Sequence, residues 1–455
     1  MVSRITGLWA VLGLILFASL IVPQVIFGRD RAPREQRVER QYIVVIKDSV
    51  ADVDTAESEL IARVGGEQLG SYRSAIRGFA ARFDDERLAE IESDPRVEFA
   101  SQDRVVSIMD SDVRSSSHRT RGSKPPPPPP PTPSPTPPPS ESAAPSTQAV
   151  STQALPTGID RINAEGKANK GAGVHVAVID TGIQTSHPDL KDNIAGGKNC
   201  STGTSYNDGN GHGTHVAGTI AARDNGLGVV GVAPEAKLWA VRVLNNSGGG
   251  TWSTVICGID FVTSKAPANG GPITVANLSL GGGGISDNNC GNSNNDALHR
   301  AICRARDAGV TVVVAAGNSG ANAAGAVPAA YDDAVITVSA LVDTDGQPFG
   351  LGASTGYGTD DTFASFSNWG TPVDIGAPGV NIRSTWTKSG YNTISGTSMA
   401  TPHVAGGAAL YIATHPGALW SEVKNALISA GEVSGAGHSD PSTRHPENVL
   451  RVDTL

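Results

Sequence analysis

From residue 152 onward the chain alternates short apolar, β-branched runs with longer helix-like stretches, and this alternation restricts the fold more than any other feature. The runs are "VHVAVI" (174–179), "LWAVRV" (238–243), "ITVANLSL" (273–280), "VTVVVAA" (310–316) and "AVITVSA" (334–340). Helical stretches at 251–265 and 293–308 lie among them. The runs lack the polar alternation of a half-exposed strand, so both faces are expected to be buried. Such strands form a parallel sheet with helices on either side, an α/β sandwich. In open sheets of this kind functional groups gather at the carboxyl ends of the strands.

A smaller unit precedes, at residues 41–109. "YIVVIK" reads as a buried strand, "DVDTAESELIARV" as a helix and "GFAARF" as a strand. "DDERLAEIES" reads as a second helix capped by Asp84, with Leu88 and Ile91 on one face; "VEFAS" and "RVVSI" close the unit. At about 70 residues it is marginal for independent stability. Residues 110–151 contain "KPPPPPPPTPSPTPPPSESAAPSTQ", a polyproline-II spacer and therefore a domain boundary. At the start, Arg4 and an apolar run from Leu8 to Phe27 have the layout of a secretory signal, so 1–28 is read as an export signal and the product as extracellular. The run is almost long enough to span a bilayer, so a retained anchor at 8–27 is the alternative and the sole membrane contact expected.

A net charge of -9, with no basic stripe in the later two thirds, argues against a nucleic-acid partner. Cys200, Cys257, Cys290 and Cys303 are an even set in an exported chain and read as two disulfides. Three pairings are open; Cys290 with Cys303 is the natural short loop, which leaves Cys200 with Cys257. Zinc is the competing reading because His212 and His215 fall between them, but no zinc-type spacing supports it.

Chemistry is placed where the sheet rule directs. Asp180 follows the first strand, in "VIDTGI"; His212 opens "HGTHVAGTIAA"; Asn318 ends "VVVAAGN"; and Ser398 starts "GTSMATPHVAG" (396–406). A hydroxyl is a poor nucleophile unless an imidazole takes its proton, and the imidazole needs a carboxylate to fix its tautomer. Helix-start amides and one side-chain amide would hold the oxyanion. Pro402 denies an amide to the Ser398 carbonyl and should loosen the helix there.

In this order, "VIDTGI", "GHGTHVAGT" and "GTSMATPHVAG" resemble the subtilisin-like serine proteases, in particular their proteinase K-like branch. The resemblance covers 152 to about 430, and 41–109 resembles the family's inhibitory, folding-assisting propeptide. It implies a three-layer parallel-sheet sandwich of subtilisin type spanning 152–455, behind a small α+β, ferredoxin-like propeptide domain. It implies Ser398 as nucleophile, His212 as base and then acid, Asp180 as its orienter, and Asn318 in the oxyanion hole. Thr397 and Thr401 would shape the turn, and His403 would be structural.

By the same resemblance Ser279, Leu280, Gly281, Gly282, Ala315, Ala316 and Gly317 wall the S1 pocket. Ser247, Gly248, Gly249 and Gly250 would form the edge that pairs with extended or unfolded polypeptide substrates, giving broad specificity. A calcium site is implied at Gln153, Asp189 and Asn225 with the carbonyls of Arg223, Leu227 and Val229. The reading is a secreted, monomeric endopeptidase made as a self-processing zymogen; the alternatives are a membrane-anchored peptidase and a catalytically silent binding protein on the same fold. The segment 342–361 is longer than the family's usual connection; Asp343, Asp345, Asp360 and Asp361 could hold a second calcium, but a solvated loop is expected.

Overall fold

The computed structural model describes residues 35–108 and 153–455, so segment 1–28 and linker 110–151 lie outside the described residues. The first unit runs β1 (Arg37–Ile46), α1 (Val53–Val64), β2 (Glu67–Tyr72), β3 (Gly78–Arg82), α2 (Leu88–Glu92) and β4 (Val97–Ile108). Its strands pair antiparallel in the order β4-β1-β3-β2, the βαββαβ plan of a ferredoxin-like fold. Alternation along β1 sorts its side chains: Tyr42, Val44 and Ile46 pack with Leu60 and Ile91 of the unit's own helices. Ile43 and Val45 face the other way, into the core of the larger unit. Asp52 caps α1 by accepting from the Thr55 amide at 3.0 Å, and left-handed Gly65 ends it.

Three local expectations change here. "VEFAS" and "RVVSI" are one continuous strand, β4, and β2 is an additional strand at the far edge. Asp84 makes no cap bond, because its carboxylate pairs with Arg40 at 3.0 Å; a 3-10 turn, Asp85–Arg87, then precedes a short α2.

The larger unit begins α3 (Thr157–Arg161), β5 (His175–Asp180), β6 (Ile194–Asn199), α4 (His212–Ala221), β7 (Lys237–Arg242), β8 (Gly249–Thr251) and α5 (Trp252–Ser264). It continues β9 (Ile273–Leu278), β10 (Leu280–Gly283), α6 (Ala297–Asp307), β11 (Thr311–Ala315), β12 (Ala326–Val327) and β13 (Ile336–Leu341). Last come β14 (Ile375–Pro378), β15 (Ile382–Trp386), β16 (Gly390–Ile394), α7 (Thr397–Thr414) and α8 (Trp420–Ala430). Seven strands, β14-β13-β11-β9-β5-β7-β6, form a wholly parallel sheet. Val176 and Val178 of β5 pack with Val216 of α4 and Val404 of α7, while Ala177 and Ile179 pack with Val255 of α5 and Leu298 of α6. Those are the three layers. The chain leaves β5 toward β7 and β6, then returns to build the other half from β9, so the strand order reverses at β5. A crevice opens at such a reversal.

Both disulfides form as expected, Cys200–Cys257 and Cys290–Cys303, each with Cα atoms 5.8 Å apart. No free cysteine remains among the described residues, which removes the zinc alternative.

The two units share a core and a strand. Asp260 on α5 accepts the amides of Arg73, Ser74 and Ala75 at 3.0, 2.6 and 2.7 Å. In return Asp103 of β4 accepts the Ser253 amide at the start of α5, at 3.1 Å, where the helix carries partial positive charge. Arg304 pairs with Asp48 at 2.7 Å and Arg300 with Glu98 at 2.6 Å. Most of 344–359 is exposed or half-exposed, as expected of a solvated loop, but Asp343, Asp360 and Asp361 are buried. One cause is the buried guanidinium of Arg161, which draws Asp361 to 2.7 Å and Glu432 to 2.8 Å.

Candidate active site

Asp180 ends β5 at the sheet's reversal point and is wholly buried. His212 opens α4, and its Nδ1 lies 2.9 Å from both Asp180 carboxylate oxygens. A carboxylate only accepts, so Nδ1 carries the proton and Nε2 offers its lone pair. Asp208 fixes where α4 begins. Its Oδ1 accepts from Asn210 and Gly211 amides at 2.8 and 3.0 Å, and its Oδ2 from the Thr214 amide at 3.0 Å. Thr181, next to Asp180, ties the end of β5 to the start of α4: its hydroxyl donates to Asp208 and accepts the Gly213 amide, both at 2.9 Å. The sequence reading missed Asp208 and Thr181. The signal was an Asp four residues before His212 in a Gly-rich turn, a helix-cap pattern.

His215 and His403 are structural. His215 Nε2 donates to the Ile382 carbonyl at 2.9 Å, and burial pushes its pKa down to about 3. His403 Nδ1 donates to the Met399 carbonyl at 2.8 Å, and burial pushes it to about 4.

Ser398 lies in the first turn of α7, where Pro402 has no N–H to give the Ser398 carbonyl. The freed carbonyl accepts instead from Ser279 Oγ at 2.9 Å, and Ser398 Oγ donates back to the Ser279 carbonyl at 3.1 Å. The proline thus opens a helix bond that fastens the Ser398 turn to residue 279, just before β10. Thr401 Oγ1 donates to the Thr397 carbonyl at 2.7 Å and closes the same turn.

Asn318 follows β11, and its side chain is held by its oxygen. Oδ1 accepts from Thr397 N at 2.9 Å and Thr397 Oγ1 at 2.8 Å. Its Nδ2 is buried and has no partner among the described residues. A buried amide donor without an acceptor costs stability unless an acceptor arrives; a transient oxyanion is such an acceptor. Gly317 makes the turn into Asn318 at φ +107, where a Cβ would sit 2.4 Å from Asn368 Nδ2. Asn368 in turn accepts the amides of Ser319 and Ala321 and donates to the Ala316 carbonyl.

The cleft beside these groups is filled by the chain itself. The end of β4 lies antiparallel between β8 and β10, with Val105↔Thr251, Val106↔Gly250 and Ser107↔Gly249 on one side. On the other side Ser107 faces Gly281 and Ile108 faces Leu280. The Ile108 amide donates to the Gly248 carbonyl at 2.9 Å. Glycine is required for this approach, since a Cβ on Gly282 would sit 2.8 Å from the Val105 carbonyl. Gly248, Gly249, Gly250, Leu280 and Gly281 therefore line a strand-binding cleft; Ser247 lies in the exposed turn before it, its amide donating to Asn245 Oδ1. Ala315, Ala316 and Gly317 lead from β11 into the Asn318 turn.

The expected calcium residues also come together. Gln153 Nε2 donates to the carbonyls of Arg223 and Val229 at 2.8 and 3.2 Å, and its Oε1 accepts the Gly226 amide. Asn225 Oδ1 accepts the Leu227 amide at 2.9 Å. Asp189 Oδ2 accepts from Val229 N and Tyr391 OH, while its Oδ1 is buried without a partner among the described residues. The donor set is oxygen-rich and contains one orphaned carboxylate oxygen, which fits a calcium ion.

Residues 171–445 match the subtilase family, and residues 41–109 match the peptidase inhibitor I9 family. The chain belongs to the subtilase family. It is 43% identical over 286 residues to Subtilisin DY of Bacillus licheniformis, covering 61% of this chain and 91% of that protein. Subtilisin Savinase of Lederbergia lenta is 44% identical over 306 residues, 64% of this chain and all 100% of the relative. Subtilisin amylosacchariticus of Bacillus subtilis subsp. amylosacchariticus extends the likeness across the first unit, at 32% identity over 432 residues, 92% of this chain and 93% of that one. A solved structure of a cold adapted subtilisin-like serine proteinase superposes with a TM-score of 0.53 at 36% identity, covering 66% of this chain and 99% of the other. This subtilase is thus a serine endopeptidase carrying its own I9-type inhibitory propeptide. No helix among the described residues is long and apolar enough to cross a membrane.

Proposed function

We propose that Asp180, His212 and Ser398 form the catalytic triad of a secreted zymogen whose first substrate is its own β4 extension. The observation that carries this is the strand in the cleft: β4 pairs on both sides as a bound polypeptide would, and it leaves β10 opposite Leu280, one residue short of Ser279, to which Ser398 is bonded. The register therefore directs cleavage just past Ile108, to the Met109–Asp110 bond. In the reaction Ser398 Oγ attacks the scissile carbonyl and His212 Nε2 takes its proton. Asp180 stabilises the imidazolium, and Asn318 Nδ2 with the Ser398 amide receives the oxyanion. His212 then protonates the leaving amine, and water repeats the sequence to free the acid.

The same main-chain pairing supports activity on extended or unfolded polypeptides with broad preference. The buried Val106 favours an apolar side chain at the corresponding substrate position. With this reading we place an export signal at 1–28, a propeptide at 41–109, a linker at 110–151 and a catalytic domain at 152–455 that acts as a monomer. Gln153, Asp189 and Asn225, with the carbonyls of Arg223, Leu227 and Val229, would hold a structural calcium supported by the orphaned Asp189 oxygen.

The test is mass spectrometry of product expressed in a protease-deficient host. The active chain should yield a fragment ending at Met109, and Ser398→Ala should accumulate uncut. Mature-size product from Ser398→Ala would overturn self-cleavage; a cut well inside the linker would overturn the register.

A further inference from the structure

The inserted segment 342–361 folds three of its four acids, Asp343, Asp360 and Asp361, inward. Asp343, two residues past β13, is 1% exposed, and its Oδ1 accepts the Gly346 amide at 3.0 Å. Its Oδ2 is buried with no hydrogen-bond partner among the described residues. Asp360 arrives from the far end of the loop, 5% exposed, and accepts the amides of Thr344 and Gly352 at 2.8 and 2.7 Å. Asp345 stands at the exposed mouth with its Oδ1 on the Gln347 amide at 2.9 Å. One oxygen from each of the three carboxylates lies within 4.8 Å of the others. The buried guanidinium of Arg161 does not serve them, being engaged by Asp361 and Glu432. Three converging carboxylates repel one another unless a cation or a proton joins them.

We propose that Asp343, Asp345 and Asp360 hold a calcium ion of their own, separate from the Asp189 set, which pins the inserted loop to the end of β13. The donors are all hard oxygens, as Ca²⁺ requires and zinc does not favour. Gly346, at φ +79, turns the chain so that its amide reaches back to Asp343 and both loop ends approach one point. The loop runs on into residues 366–368, and Asn368 fastens the turn after Asn318. Loss of the ion therefore loosens the loop first and reaches the oxyanion turn only indirectly.

The experiment is calorimetric titration of the metal-stripped full chain carrying Ser398→Ala with Ca²⁺. The same chain is titrated with Asp343→Asn/Asp360→Asn, with Asp345→Asn and with Asp189→Asn added. The double variant should bind one equivalent fewer than its parent, whereas Asp189→Asn should keep that equivalent. Asp345→Asn alters an exposed side chain and leaves folding intact, and it should weaken the same equivalent at least about 10-fold. Equal stoichiometry in parent and double variant overturns the site, as does an Asp345→Asn chain with every affinity unchanged. If the double variant does not fold, the Asp345→Asn titration decides alone.

Discussion

Replacing Thr397 by Val keeps the shape of a buried side chain and deletes one hydroxyl. That hydroxyl donates to Asn318 Oδ1 at 2.8 Å and accepts the Gly317 amide at 3.1 Å. Loss of the first bond costs about 1 kcal/mol, and the Gly317 N–H left dry costs about 1–3 kcal/mol more. Stability should therefore fall by roughly 2–4 kcal/mol. Activity falls for a separate reason: Asn318 keeps only its bond from the Thr397 amide, at 2.9 Å, and is aimed less firmly at the oxyanion. A positioning bond of about 1.4 kcal/mol is worth about tenfold in kcat. Deleting the donor itself, Asn318→Ala, should cost about 10²–10³, a range that comes from a subtilisin. The assay is kcat on a chromogenic peptide amide for the processed variants, with melting curves of the same variants on a Ser398→Ala background. Thr397→Ser should recover kcat. Full kcat in Thr397→Val beside a hundredfold loss in Asn318→Ala would refute the reasoning, because Asn318 would then be aimed by something else.

Asp260→Ala removes the acceptor of three propeptide amides, and the lag between self-cleavage and full activity should shorten by about 10-fold or more, at over 1 kcal/mol per charged hydrogen bond. An unchanged lag would show that those bonds do not hold the propeptide. His215 and His403 are buried neutral, with pKa values near 3 and 4 against an ordinary value of about 6.5, so the unfolded chain takes up more protons below that value. Stability is complete above about pH 6.5 and should decline by several kcal/mol as pH falls toward 4 and then 3, read as the melting temperature of the Ser398→Ala chain; a flat profile from pH 7 to 4 would contradict it. Chelation should lower the melting temperature and speed autolysis, since calcium at about 100 times its Kd adds roughly 2.7 kcal/mol. Asp189→Asn should reproduce much of that loss, and an Asp189→Asn chain as stable as its parent in calcium would remove the site.

The parallel sheet was legible because β5, β7, β9, β11 and β13 are buried along most or all of their length, with a composition that admits little else. The sheet's edges were not. β6 is "IAGGKN", and two glycines with a Lys carry no strand pattern; its place comes from pairing with β7. β14 is only "IGAP", ordered by β13 beside it. Likewise β4 reads as two pieces because the polar, half-buried Gln102 and Arg104 interrupt its apolar pattern, although the strand runs on past a register shift against β1 and into the cleft. Ser398, His212, Asp180 and Asn318 were legible from strand ends, helix starts and motif order. The exchange between Ser279 and Ser398 was not, since nothing in sequence says which hydroxyl answers the carbonyl Pro402 leaves open. Three acids of 342–361 misled for a related reason: composition suggested solvent, but Asp361 is drawn in by a distant Arg161 and Asp343 and Asp360 by amides within the loop.

The most direct test of the account is stoichiometric labelling of the processed enzyme with a serine-directed phosphonate, followed by peptide mapping. One label per chain is expected, on Ser398, with the labelling rate falling steeply in His212→Ala and the label absent in Ser398→Ala. A label on any other residue, or a His212→Ala enzyme that reacts at the parent rate, would contradict the assignment of nucleophile and base.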